Sequence, residues 1–498
     1  MPDAIDRLIR SRAEQHGDKP MVVDPETRIS YTELDATTRA LAAAFIDAGI
    51  GKGTRVGLIM PNRVQWVQIA VALTRIGAVL VPLSTLLQPP ELVAKLRVAS
   101  VQVLIAVEEF RGHRYLDDLA DVVNTPELPA LREVWTSEQL TKAHSDQVVD
   151  AVASAVTPSD TLVIMFTSGS SGPPKSVIHS HGNALAAVRS GLAARCIDAD
   201  TRLYLPMPFF WVGGFGSGVL SALLAGATLV TEAIPRPEAT LRLLERERVT
   251  LFRGWPDQAE ALARQSASVG ADLSALRPGS LDALLSPEHR AEPGARRSLF
   301  GMTESFGPYC GYPADTDMPR SAWGSCGKPF DGMQVRIVDP DTGQPVPAGA
   351  VGMIQIRGPH TLRGICRRSR EDLFTPDGYY PTGDLGHLDD DGFMFYHGRS
   401  DGMFKVSGAT VYPSEVEQAL RTIDGVENAF VTEVSGAVGA VVICATTVEH
   451  LHTAARKRLS SFKIPTVWPL VDSDEDIPRG STGQVDVHRL REMLREQT

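Results

Sequence analysis

Lysine is scarce in this chain: nine residues stand against forty arginines in a length of 498. A lysine inside a motif is therefore an uncommon choice. Cysteine is scarce too. Cys196, Cys310, Cys326, Cys366 and Cys444 are scattered with no C-x-x-C pair, which argues for reduced, mostly structural thiols in a cytoplasmic protein. No run of Lys and Arg makes a basic patch, and the formal charge is −11, so nucleic acid is not an expected partner. Nor is there a membrane span. The most apolar stretch, Val64 to Leu83, is interrupted by Arg75 and Gly77 and reads as a buried helix running into a strand. The amino terminus, Met1-Pro-Asp-Ala-Ile-Asp-Arg7, alternates charge and lacks the apolar core of a signal peptide.

Against this background one segment stands out. The apolar run Thr161 to Phe166 reads as a buried strand, and it leads into Thr167, Ser168, Gly169, Ser170, Ser171 and Gly172, with Lys175 three residues further on. Glycines free backbone N–H groups to turn toward an anion, hydroxyls add donors, and lysine adds a point charge. That is phosphate-handling chemistry at the end of a strand. It is not a P-loop, which needs glycine immediately before the lysine; here Pro174 holds that place. A flexible Ser/Gly linker would not begin on an apolar strand or end in Pro-Pro-Lys.

The length calls for two or more domains. From residue 28 to 83 helical and strand patterns alternate: a helix opens at Tyr31, Thr54 to Met60 is a strand, Val64 to Ile76 a helix and Ala78 to Pro82 a strand. Similar units recur at Val101 to Val107, Thr161 to Phe166 and Ala227 to Val230. Such alternation predicts an α/β domain of doubly wound sheets. Residues 321 to 397 are instead rich in strands and turns, which predicts a barrel-like β subdomain. The pattern changes again after Gly398-Arg-Ser-Asp401. We place a boundary at about residue 400, giving a large domain over 1–400 and a small α+β domain over 401–498.

Further motifs align with the phosphate loop. Phe300-Gly-Met-Thr303-Glu304 gathers a ring, a hydroxyl and a carboxylate; Tyr380-Pro-Thr-Gly-Asp384 sets a carboxylate on a turn. Gly398-Arg399-Ser-Asp401 and Lys405-Val-Ser407-Gly408 lie at the boundary, followed by Tyr412-Pro-Ser-Glu-Val-Glu417. In this order and spacing, from about residue 28 to 492, the chain resembles the adenylate-forming superfamily of acyl-CoA synthetases, luciferases and peptide-synthetase adenylation domains, fatty-acyl-CoA ligases above all. The resemblance implies a two-step ligase. A carboxylic acid and ATP give acyl-AMP and pyrophosphate; coenzyme A then gives acyl-CoA and AMP. It also implies that the small domain is mobile.

Residue by residue, the resemblance gives the loop Thr167–Gly172 and Lys175 to the β- and γ-phosphates. It gives Glu304 to Mg²⁺, a cation that prefers oxygen ligands, and Thr303 to the α-phosphate. Phe300, where the family usually has tyrosine, would stack on adenine. Asp384 would accept both ribose hydroxyls, and Arg399 would bond the ribose and a phosphate oxygen. Asp401 would be the hinge, while Lys405, Ser407 and Gly408 would line the thiol tunnel. His181 matches a family histidine beside the phosphate loop; the H-x-H that it forms with His179 has no third ligand nearby to make a metal site. The segment Phe210, Trp211, Gly213 and Gly214 resembles the border of the acyl pocket, with Trp211 in place of the usual histidine. Its aromatic walls, with Gly213, Gly214, Gly216 and Gly218, leave room for an apolar chain or ring and so suit a fatty or aryl acid.

Two departures follow. The segment between Arg277 and Phe300 is short, with Gly279-Ser280 standing in for a longer glycine-rich run near adenine. In the terminal motif, Gly483 is followed by Gln484 where the family has lysine. Glutamine donates hydrogen bonds but cannot offset charge on the reacting phosphorus. Loss of one such stabiliser typically costs roughly 10²–10³ in rate. The expectation is therefore weak adenylation with an intact thioester step. The alternatives are an acyl-AMP ligase loading a carrier protein, and an impaired binder of ATP or acyl-AMP. Oligomeric state is left open, a homodimer included.

Overall fold

The computed structural model describes residues 4–119, 127–137, 147–167, 175–296, 299–399, 402–478 and 485–497. They fall into two units: Met1–Thr85, Ala99–Phe166 and Ser176–His397 form the first, and Leu86–Val98, Thr167–Lys175 and Gly398–Thr498 the second.

Two largely parallel sheets carry the first unit. The larger runs, in spatial order, through Gly364–Ile365, Lys175–Ser180, Thr161–Thr167, Val79–Leu83, Arg55–Ile59, Val103–Ala106 and Glu133–Thr136. Val79–Leu83 is buried along its whole length, as a parallel strand covered on both faces must be. The smaller sheet orders Leu251–Phe252, Arg202–Tyr204, Thr228–Val230, Pro20–Val23 and Arg28–Ser30, parallel except for the last pair. The doubly wound α/β architecture is thus present, with short antiparallel additions.

Arg75, which interrupts the apolar run in the sequence, turns out to be part of the core. It ends helix Val64–Arg75 with no solvent exposure. Its guanidinium donates to Asp6 Oδ1 at 2.7 and 3.0 Å, to Asp35 Oδ1 at 2.9 Å and to Thr38 Oγ1 at 2.8 Å. A buried charge is tolerated only when its donors are met in this way.

The strand-and-turn region forms two small antiparallel sheets. One joins Phe300–Met302, Gly307–Gly311 and Lys328–Pro329; the other joins Gln334–Val338, Gly352–Arg357, Tyr380–Leu388 and Met394–Arg399. They share a core of Tyr309, Ile337, Ile354, Ile356, Tyr380 and Met394.

The second unit is α+β. Hairpin Val426–Val434 and Ala437–Cys444, extended by Leu470–Val471, packs against helices Pro413–Arg421, Val448–Arg456 and Val487–Arg495. Within this unit Lys463 is buried and donates to Glu91 at 2.9 Å and Glu415 at 2.7 Å. Burial opposes its charge, yet the two carboxylates outweigh that and raise its pKa above the ordinary lysine value. None of the five cysteines forms a disulfide. Among the described residues no helix is long and apolar enough to cross a membrane.

Candidate active site

Strand Lys175–Ser180 ends in a capping box, in which Ser180 and Asn183 start helix His181–Ser190. This break sends the two histidines of the H-x-H in different directions. His179, fully buried, brings Nε2 within 2.8 Å of the Thr303 carbonyl oxygen. The carbonyl can only accept, so Nε2 carries the proton and Nδ1 accepts from the Asn183 amide at 2.8 Å. Burial pulls the His179 pKa down to about 3, which keeps the ring in this neutral form. Asn183 also donates to the His360 carbonyl at 3.3 Å.

His181 is the first residue of the helix. Its Nδ1 accepts from the backbone N–H of Ile5 at 3.4 Å, at the start of helix Ile5–His16. Burial brings its pKa down to about 4. His179 is the residue that touches the Thr303 segment.

Thr303, Glu304 and Ser305 form one short helical turn held from several sides. His179 grips the Thr303 carbonyl, the Leu362 N–H donates to the Glu304 carbonyl at 2.8 Å, and the Ser305 hydroxyl donates to the Gly307 carbonyl at 2.6 Å. Phe306 closes the turn at φ +51°, a left-handed conformation that is unfavourable for a bulky side chain. Its ring, packed on His179 at 4.9 Å and on Phe215 at 6.2 Å, holds it there. The Glu304 carboxylate is buried and accepts from the Tyr380 hydroxyl at 3.2 Å. Tyr380 opens the strand that carries Asp384, so the two sequence motifs meet through this bond. Asp384 is itself buried, with its N–H on the Thr382 hydroxyl at 3.0 Å.

Phe300 is half-buried, its ring 5.7 Å from Tyr309 and 5.0 Å from Tyr396. Thr167 ends its strand with a buried hydroxyl that has no partner among the described residues, and Lys175 begins the next strand. Arg399 ends strand Met394–Arg399. Lys405 is exposed on hairpin Phe404–Val406 and Ala409–Val411. Ser407 at φ +47° and Gly408 at +80° make its two-residue turn, as a tight hairpin with two left-handed residues requires. Ser168, Gly169, Ser170, Ser171, Gly172, Asp401 and Gln484 lie outside the described residues.

The glycines after Trp211 do not leave the room expected of them. A Cβ at Gly214 would stand 2.1 Å from the Pro208 carbonyl oxygen, and one at Gly218 2.7 Å from Leu205. Their space is taken by the protein, and Gly214 permits a close backbone approach. Residues Phe215–Leu220 form a π-helix, a rare element that often accompanies functional sites. The aromatic wall is real: Phe210 meets Trp211 edge-on at 5.6 Å, and Trp211 meets Trp255 at 6.3 Å. Trp255, His179, Asn183 and Tyr380 are site neighbours without an assigned role in the sequence reading.

Residues 9–366 match the family described as AMP-binding enzyme. The chain is 32% identical to the 7a-methyl-1,5-dioxo-octahydro-1H-inden-4-yl propanoyl:CoA ligase of Mycobacterium tuberculosis, over 99% of this chain and 98% of that protein. It is 29% identical to the indoleacetate–CoA ligase of Aromatoleum aromaticum, over 95% of each. Among solved structures, the amide bond synthetase McbA of Marinactinospora thermotolerans superposes with a TM-score of 0.81 at 25% identity, over 98% of this chain and 99% of that one. The chain belongs to the AMP-binding, adenylate-forming enzyme family.

Proposed function

We propose that this enzyme is an AMP-forming acyl-CoA ligase whose acid carries a ring. The observation that carries the chemistry is the rigid Thr303–Glu304 turn, joined through Tyr380 to the strand of Asp384. In the first step an oxygen of the acid's carboxylate attacks the α-phosphorus of ATP, and the bond to pyrophosphate breaks. In the second, the sulfur of coenzyme A attacks the acyl carbonyl carbon, loses its proton, and AMP leaves.

Glu304 fits a magnesium ion. Mg²⁺ takes oxygen ligands and is commonly held by one or two carboxylates together with substrate phosphates, and Glu304 offers one fixed carboxylate. When bound, the ion neutralises phosphate charge. Thr303 donates to the α-phosphate, preorganised because its backbone is held by His179. Thr167 and Lys175 serve the β- and γ-phosphates with the loop between them, Phe300 stacks on adenine, Asp384 holds the ribose and Arg399 bonds nearby. A swing of the second unit about Asp401 brings Lys405, Ser407 and Gly408 to the thiol. Gln484 makes the first step the slower one.

The ring preference is supported by the Trp211–Trp255 wall and by relatives named for indoleacetate and 3-hydroxybenzoate. Pyrophosphate release across fatty, aryl and alicyclic acids tests it, with coenzyme A and a carrier protein compared as acceptors. Turnover of ring-bearing acids with coenzyme A is expected; a preference for linear fatty acids or for the carrier protein contradicts the proposal.

A further inference from the structure

Two arginines of the first unit form no ion pair among the described residues. Arg195 is buried, and its guanidinium donates to the Val188 carbonyl at 2.8 Å. Arg253 is half-buried and donates to the Arg195 carbonyl at 3.0 Å. The Nε atoms of both are buried with no partner, and neither side chain forms an ion pair among the described residues. Arg277 also has a buried Nε without a partner, but its charge is matched, because it pairs with Asp198 at 3.5 Å.

Two like charges taken out of water beside one another are unfavourable unless something compensates them. Of the carboxylates, Asp315 acts on Arg253 and none acts on Arg195. Burial and Arg253 together bring the Arg195 pKa down to about 9. One carboxylate, acting on Arg253 alone, leaves the pair short of an acceptor.

The position of the pair says which acceptor. Arg253 directly follows strand Leu251–Phe252, at the carboxyl edge of a parallel sheet where α/β folds bind ligands. Its N–H still continues the ladder to the Tyr204 carbonyl at 3.0 Å. Two residues on, Trp255 forms the aromatic wall with Trp211. Gln258, on the helix that begins at Pro256, has a buried amide oxygen without a partner. The wall and the unpaired polar atoms thus leave the same strand end.

We infer that Arg253, backed by Arg195, reads an oxygen at the far end of the acid, so that the substrate is a ring-bearing acid with a second oxygenated group, a carboxylate or a ketone. This rests on the ligase proposal and names the acid more closely. Hydrogen bonds from a charged donor are the strong ones, so the second oxygen is a specificity contact as well as an affinity contact.

The test binds non-hydrolysable acyl-sulfamoyl adenosines to the full chain by calorimetry. One bears a bicyclic acyl group, and two others bear the same group with a ketone or a carboxylate at its far end. At least one oxygenated ligand is expected to bind about 10-fold or more tightly than the plain one, and the arm that gains identifies the group. Arg253→Gln is expected to erase the ratio between ligands, and Arg253→Lys to restore part of it for the carboxylate. A general loss of structure would lower all affinities and keep the ratio, which would overturn the inference. Equal binding of all three ligands by the unaltered chain overturns it too, and leaves the ligase proposal standing. Binding of none defeats the ligase proposal and this inference with it.

Discussion

His179 donates its Nε2 proton to the Thr303 carbonyl 2.8 Å away, so the turn that presents Thr303 and Glu304 is fixed by a residue that need never touch the substrate. Replacing His179 with Ala removes that grip. A displacement of about 1 Å at a reacting group can cost on the order of 10² in rate, so kcat is expected to fall about 10- to 100-fold, with the smaller change in KM. Steady-state pyrophosphate release measures this, and His179→Gln, which can donate, is expected to recover part of it. A kcat within twofold of the unaltered enzyme would show that the turn holds itself.

Acid should weaken the first unit through the same residue and its neighbours. His179, His181 and His360 are held by burial at about 3, 4 and 4, below the ordinary value of about 6.5. As pH falls from about 6.5 toward 4, the unfolded chain takes up protons that the folded chain refuses. Stability is therefore full above about pH 6.5 and declines below it, by up to about 1.4 kcal/mol per pH unit for each histidine. Urea unfolding at several pH values checks this, and His181→Gln should flatten the slope. A stability that rises on acidification over this window would contradict it.

Arg75 gives a test of the core. Removing one partner of a buried ion pair typically costs about 3–5 kcal/mol, because the other charge remains. Arg75→Ala leaves Asp6, which is 7% exposed, with Arg10 at 2.9 Å as its remaining cation, so the expected loss in denaturant unfolding lies at the lower end of that range. The double variant Arg75→Met with Asp6→Leu is expected to recover part of it.

For Glu304→Gln the expectation is a loss of about 10²–10³ in pyrophosphate release, not restored by excess Mg²⁺. Tyr380→Phe, which removes only the bond to that carboxylate, is expected to cost less. An equal loss in both would place the chemistry on Tyr380 instead.

Much of the fold was legible because alternating helix and strand patterns are local, and the motif letters of Lys175, Glu304 and Asp384 needed no geometry to be noticed. What the letters hid depends on distant partners. Arg75 looked like an interruption because Asp6 and Asp35 lie 69 and 40 residues away. His179 gave no signal of its own beside His181, because the capping box at Ser180 that ends the strand between them and turns them apart is a matter of geometry. Gly214 suggested open space, since nothing in sequence shows the Pro208 carbonyl lying against it. Arg195 and Arg253, 58 residues apart, gave no signal at all.

The central proposal is that binding the nucleotide and using it are separable in this chain, with the thioester step intact and the adenylation step slowed by Gln484 in place of a lysine. The most direct measurement compares the unaltered chain with Gln484→Lys in two assays, overall acyl-CoA formation from acid, ATP and coenzyme A, and thioester formation from supplied acyl-adenylate and coenzyme A. The expected result is an overall rate about 10²–10³ faster with lysine and a thioester rate that is the same in both. Equal overall rates, or no thioester from acyl-adenylate in either chain, would contradict it.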